Sequence, residues 1–132
     1  MSDVETIKLS AAAIEVAPDG SAVRPLLGLA SGTMAHFELA AGATSRAVSH
    51  ETVEELWFVL SGRGELWRKC GAHEEVIVLE PGVCATLPRA THFQFRASTA
   101  EAIKILALTI PRWPGNRRGA FCERSLAGLR MS

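Results

Sequence analysis

The chain has 132 residues, 48% of them hydrophobic and 21% charged, with fourteen basic side chains against fourteen acidic ones. That length sets one domain, spanning residues 1–132, able to bury roughly two-thirds of the surface its unfolded chain exposes. A net charge of zero lacks the basic excess of a nucleic-acid surface, and no run of about 18 apolar residues is present to span a membrane. Three cysteines (Cys70, Cys84, Cys122) with no C-x-x-C spacing suit free thiols in a reducing compartment. The N-terminus shows no basic start followed by an apolar core, so a cytoplasmic location is expected.

Along the chain, turn signals punctuate short apolar and β-branched runs. Pro18-Asp19-Gly20 and Ser31-Gly32 precede a strand expected over Thr33–Leu39, with Ala35, Phe37 and Leu39 on one face and Met34, His36 and Glu38 on the other. After Ala41-Gly42 comes a segment ending at His50, then a strand over Glu55–Leu60 in which Glu55, Trp57 and Val59 are co-facial. Both faces of that strand are apolar beyond Glu55, as for a strand covered by the barrel interior on one side and a partner or second sheet on the other. Further strands are expected over Glu65–Lys69, Glu75–Leu79, Val83–Leu87, His92–Arg96 and Ile103–Ile110. Within His92–Arg96, His92, Gln94 and Arg96 share one face and Phe93 and Phe95 the other. Short strands at this spacing indicate an antiparallel sandwich or barrel. Helical periodicity is confined to the last dozen residues. The acidic start (Asp3, Glu5, Glu15, Asp19) and the arginine-rich residues 111–132 are read as solvated ends.

Two segments carry the chemistry. Gly42–Gly62 sets His50 and Glu55 ahead of an apolar run, and Pro81–Phe95 adds His92 after a Pro-Gly turn. Imidazole and carboxylate at strand ends are the ligands that divalent first-row metals take. Arg46 shares parity with His50 and is a candidate for holding a substrate anion. Gln94 shares the face of His92, and Trp57 shares that of Glu55; both are candidate substrate contacts. His36 and His73 are read as surface, and Cys84 as a small buried hydrophobe. No serine sits in a G-x-S-x-G elbow, Gly62-Arg63-Gly64 is a hairpin turn rather than a phosphate loop, and the absence of tyrosine removes any tyrosine general acid.

The two segments resemble the two motifs of the cupin superfamily. The first motif, G-x5-H-x-H-x3 or 4-E-x6-G, is matched by Gly42, His50, Glu55 and Gly62, with Val48 standing in place of the first histidine. In the second, Gly82 and Pro88 match, Ala90 stands where glycine is usual, His92 comes one residue early, and Arg96 stands near the motif asparagine. The resemblance covers about residues 42–96 and implies an all-β fold, the double-stranded β-helix or jelly-roll barrel of a small single-domain cupin. It implies a divalent metal (Fe, Zn, Mn or Ni) on His50, Glu55 and His92, weakened or lost because Val48 cannot be a ligand. The expected function is a metal-dependent enzyme acting on a small organic molecule by dioxygenase, isomerase or cyclase-like chemistry, with Glu54, His36 and Arg46 as weak acid–base candidates. The alternatives are a non-catalytic small-molecule or sugar-binding cupin with a degenerate metal site, and a structural scaffold with its pocket filled by aromatic side chains. A homodimer is expected, with a small molecule as the further partner.

Overall fold

The computed structural model describes residues 4–17, 19–112 and 119–121. The helical reading of the final dozen residues falls outside them beyond Phe121, as do Cys122 and all of the arginine-rich residues 111–132 except 111–112 and 119–121, the last three of which pair with residues 48–50 rather than forming a solvated end. A 3-10 turn at Leu9–Ala11 leads into eleven strands: β1 (Glu15–Val16), β2 (Ala22–Leu29), β3 (Gly32–Leu39), β4 (Val48–His50), β5 (Glu54–Ser61), β6 (Gly64–Cys70), β7 (His73–Leu79), β8 (Cys84–Leu87), β9 (His92–Ala97), β10 (Ile103–Ile110) and β11 (Gly119–Phe121). They form two antiparallel sheets, one in the order β1-β2-β3-β10-β5-β8 and the other β11-β4-β9-β6-β7. This is the expected jelly roll. Non-consecutive neighbours such as β10 between β3 and β5 are what wrap the chain into a barrel instead of a simple meander.

The seven strands read from alternation are present with ends shifted by two residues or fewer. Strands β1, β2 and β11 were not expected, and β4 was expected only as a strand end at His50, without bounds. β2 contains Pro25 and Gly28, and its pairing with β3 shifts register between them; proline lacks the ladder donor, so the segment does not read as a strand. β4 has three residues, too few to show a period.

Registers fix the facing of each side chain. Ala35 pairs with Ala107, which pairs with Trp57, which pairs with Ala85; Phe37, Ile105 and Val59 form the next inward row. From the opposite sheet Val48, Leu66, Phe93, Phe95 and Ala97 face them, and together these residues are the core. Trp57 sits at its centre. Its indole makes edge-on contacts with Phe37, Phe93 and Phe95 at centroid distances of 5.8, 5.6 and 4.9 Å. One ring thereby ties β3 and β5 of one sheet to β9 of the other. Arg68 clasps the far edge: its guanidinium donates to the Thr86 carbonyl on β8 at 2.8 Å and pairs with Glu75 on β7.

Cys84 is exposed on the outer face of β8, not buried, because Ala85 and Leu87 take the inward positions of that strand. His36 does lie on the outer face of β3, yet it is buried there, with its pKa lowered chiefly by desolvation. Arg24, across β2, donates to the Ala12 carbonyl at 2.8 Å and lays the N-terminal segment along this sheet.

Two backbone positions make opposite demands. A Cβ at Gly64 would overlap the Arg96 carbonyl oxygen of the neighbouring strand. Ala90, in the β8–β9 loop, adopts a left-handed φ of 65°, which costs an L-residue about 1 kcal/mol. We therefore expect Gly64→Ala to lower unfolding stability by about 2 kcal/mol or more and Ala90→Gly to raise it by about 0.5–1 kcal/mol. Urea titrations with an unchanged m-value check both; equal midpoints for the two variants would contradict this backbone geometry.

Candidate functional site

Strand β5 enters the barrel wall at Glu55, whose side chain points inward like those of Trp57 and Val59. Strand β4 reaches the same level from the other sheet and turns Val48 and His50 inward, with Ser49 outward. His50 Nε2 and Glu55 Oε2 lie 3.4 Å apart, and both side chains are buried. Trp57 Nε1 donates to the other carboxylate oxygen, Glu55 Oε1, at 2.6 Å. The His50 ring lies against Phe93 with centroids 5.5 Å apart. The Ala90 N–H donates to the His50 carbonyl at 2.9 Å, so the strained loop residue fixes the end of β4.

Burial dominates the electrostatics. Loss of solvation pushes the Glu55 carboxyl up to about 7; the Trp57 N–H pulls it back, and the nearby Asp19 charge raises it further. Desolvation pushes His50 down to about 4. At neutral pH the contact is therefore not an imidazolium–carboxylate ion pair. The imidazole is neutral, and near neutrality the carboxyl is the member of the pair that titrates. An acid poised near neutrality against an uncharged imidazole can move one proton between two atoms of a bound molecule.

Asp19 was read from sequence as part of a solvated end; it is buried. The turn closed by the Gly20 N–H to the Ala17 carbonyl places it beside Arg46, whose backbone N–H donates to the Asp19 carbonyl at 2.6 Å. Its Oδ1 accepts from the Ser21 N–H at 2.9 Å and the Ser21 hydroxyl at 2.6 Å. Burial raises its pKa against those hydrogen bonds. The available signal was its alternation with Ser21 and Val23, which extends the inward face of β2 back through the turn.

The remaining site candidates are placed as follows. His92 is on β9, paired with Ser49 and Lys69, and faces away from the barrel interior; Phe93 takes the inward position. Gln94 shares that outer face, is buried, and donates from Nε2 to the Ser45 carbonyl at 3.0 Å, holding the chain that enters β4. The Arg46 side chain is exposed, on an irregular stretch between Thr44 and β4 that breaks the parity with His50. Glu54 is exposed on the outer face of β5. The structure thus brings together His50, Glu55 and Trp57 and leaves His92, Gln94 and Arg46 elsewhere.

For a divalent metal, the described residues at the His50 Nε2–Glu55 Oε2 contact offer one imidazole and one carboxylate, and the carboxylate already holds the Trp57 N–H. The nearest inward neighbours, Val48 and Phe93, offer carbon. No group of three His, Cys, Asp or Glu side chains that could hold a metal ion occurs among the described residues. This donor set does not fit a three- or four-ligand centre.

A family model described as the cupin domain matches residues 35–109, more than half of the chain. No curated protein matches the sequence. Among solved structures, the polyketide cyclase RemF from Streptomyces resistomycificus superposes with a TM-score of 0.71 at 17% identity, over 90% of this chain and 85% of that one. A Streptomyces nucleoside dehydratase gives 0.72 at 12% identity, over 91% of this chain and 92% of the other. A predicted oxalate decarboxylase from Thermotoga maritima gives 0.66 at 15% identity, over 81% and 99%. At these identities the likeness is one of fold. With the two-sheet barrel, the inward His50–Glu55 pair and the family match in agreement, the chain belongs to the cupin family.

Proposed function

We propose that this cupin is an enzyme that moves protons on a small organic molecule, of the lyase, isomerase or cyclase kind, with Glu55 as the general acid–base and neutral His50 as its proton partner. The observation that carries the reading is the 3.4 Å contact between His50 Nε2 and Glu55 Oε2. Between Trp57 and Phe93, the acid titrates near neutrality and the imidazole stays uncharged. Trp57 fixes the carboxyl orientation through its N–H. Two structural relatives, a polyketide cyclase and a nucleoside dehydratase, are named for reactions that require proton transfer at carbon or oxygen, which supports the class without identifying the substrate. The metal-dependent reading has less support, because no group of three metal-ligating side chains occurs among the described residues. A non-catalytic binding cupin stays as the second reading, favoured by the small polar inventory of the site.

The test is a screen of hydroxylated and carbonyl compounds for elimination, isomerisation or ring closure, using protein dialysed against chelator. Expected is turnover that needs no added metal and falls about 10²–10⁴-fold in Glu55→Gln and in His50→Gln. Turnover that survives both variants, or that returns only with added metal, would sink the proposal.

The pair also predicts a pH signature of stability. Unfolded, Glu55 titrates near its ordinary value of 4.5; folded, near 7. Between those values the folded chain holds a proton the unfolded chain has released, so stability falls as pH rises. His50 does the reverse: folded near 4 and ordinarily 6.5, it makes stability rise with pH in between. The two slopes oppose one another across about pH 4.5–6.5. Relative to wild type, Glu55→Gln should gain stability with rising pH, and His50→Gln lose it, each approaching about 1.4 kcal/mol per pH unit. Denaturant titrations at pH 5 and 6.5 measure this; two flat difference profiles would remove the assigned protonation states.

We propose in addition that the outer face of the six-stranded sheet joins two copies of the chain. Outward side chains form continuous rows: Met34, Leu108 and Leu56, then His36, Leu106, Phe58 and Cys84. Leu56, Phe58 and Leu60 remain 40%, 44% and 44% exposed on one strand, an apolar stripe that a partner would cover. Sedimentation is expected to give twice the 14.2 kDa chain mass for wild type and the chain mass for Phe58→Glu. A monomeric wild type at tens of micromolar would count against this interface.

A further inference from the structure

The inner walls of the barrel at His50 carry an unused capacity. Val48 and His50 are two residues apart on β4, so both point inward. Phe93 pairs with Val48 in register on β9, also points inward, and places its ring 5.5 Å from that of His50. These two side chains are buried, and both belong to the apolar core. An ion seated between His50 Nε2 and Glu55 Oε2 would be flanked by them. It would meet one neutral imidazole and one carboxylate, which leaves a positive charge uncompensated in an apolar surround.

We infer that Val48 and Phe93 are what keep the His50–Glu55 pair free for protons: they close the barrel wall to a divalent ion, and converting both to histidine opens a metal site on the existing pair. The inference concerns binding alone and does not depend on the pair being catalytic. Four donors, three imidazoles and one carboxylate, would then converge from three strands, the paired β4 and β9 of one sheet and β5 of the other, a set that suits cobalt, zinc, nickel or iron. His92 cannot supply the missing donor, because on a strand the neighbouring residue belongs to the other face. A residue at position 93 has the inward direction.

The test is titration of the purified chain with cobalt(II), followed by visible ligand-field absorption and by calorimetry, for wild type, Val48→His, Phe93→His and the double variant. Folding of each is checked by circular dichroism. Expected is no saturable binding to wild type below about 1 mM. The double variant should take one equivalent at least about a hundredfold tighter, and lose it again when Glu55→Gln or His50→Gln is added. Wild-type binding at one equivalent that disappears in His50→Gln overturns the inference. So does a folded double variant that binds no better than wild type. Should the double variant fail to fold, Val48→His takes its place with three donors, and a folded Val48→His no tighter than wild type overturns the inference equally. Loss of proton-transfer turnover would bear on the proposed function; these cobalt outcomes bear on the wall alone.

Discussion

The burial of Trp57 is the constraint on which the rest of the molecule depends. Its indole face satisfies the core, meeting Phe37 from its own sheet and Phe93 and Phe95 from the other. Its N–H cannot be left unpaired in that setting, since an orphaned buried donor costs about 1–3 kcal/mol. Glu55, two residues earlier on the same inward face, provides the acceptor. A carboxyl is thereby drawn inside the barrel wall, and its desolvation sets the raised pKa. Packing and chemistry here are one arrangement: the ring that joins the sheets also positions the acid.

A second consequence follows from strand periodicity. In β9 the histidine stands at position 92 and the phenylalanine at 93, and the two side chains leave opposite faces of the sheet. Phe93 therefore packs on Trp57 and His50, and His92 sits outside with Ser49 and Lys69. With Val48 on the neighbouring strand β4, two residues before His50, the interior beside that imidazole is apolar at both positions. The lowered imidazole pKa is the electrostatic result. The chain keeps the cupin frame while carbon flanks the His50–Glu55 pair at Val48 and Phe93, with Thr109 paired to Glu55 in register and the carboxyl of Asp19 buried nearby.

The barrel also divides its surfaces by function. Inward rows on the six-stranded sheet alternate small and large side chains, Ala35, Ala107, Trp57 and Ala85 in one row and Phe37, Ile105 and Val59 in the next, which lets one large ring fit between small neighbours. The outward row of Met34, Leu108 and Leu56, and Leu106 with Phe58 in the next, are apolar as well, which a solitary sheet face in water does not require. Strand β5 thus carries the acid on one side and the proposed partner surface on the other. A variant at Phe58 therefore tests association on the face opposite Glu55.

The sequence by itself determined the strand-rich architecture, the family frame, and the co-facial set Glu55, Trp57 and Val59, because a period of two and an apolar run are local properties. It also placed Phe93 and Phe95 opposite His92 and Gln94. What it could not supply was which of those faces looks inward: that depends on β9 lying between β4 and β6, a long-range pairing. For the same reason the proximity of His50 and Glu55 was legible only as spacing. Their electrostatics came from the depth to which Trp57 and the phenylalanines bury them. Asp19 was hidden because its turn looks like any exposed Pro-Asp-Gly stretch until the Arg46 backbone closes over it. Local alternation fixes how side chains divide between two faces; only the pairing of distant strands decides which face loses its water, and the loss of water is what sets the charge state of this site.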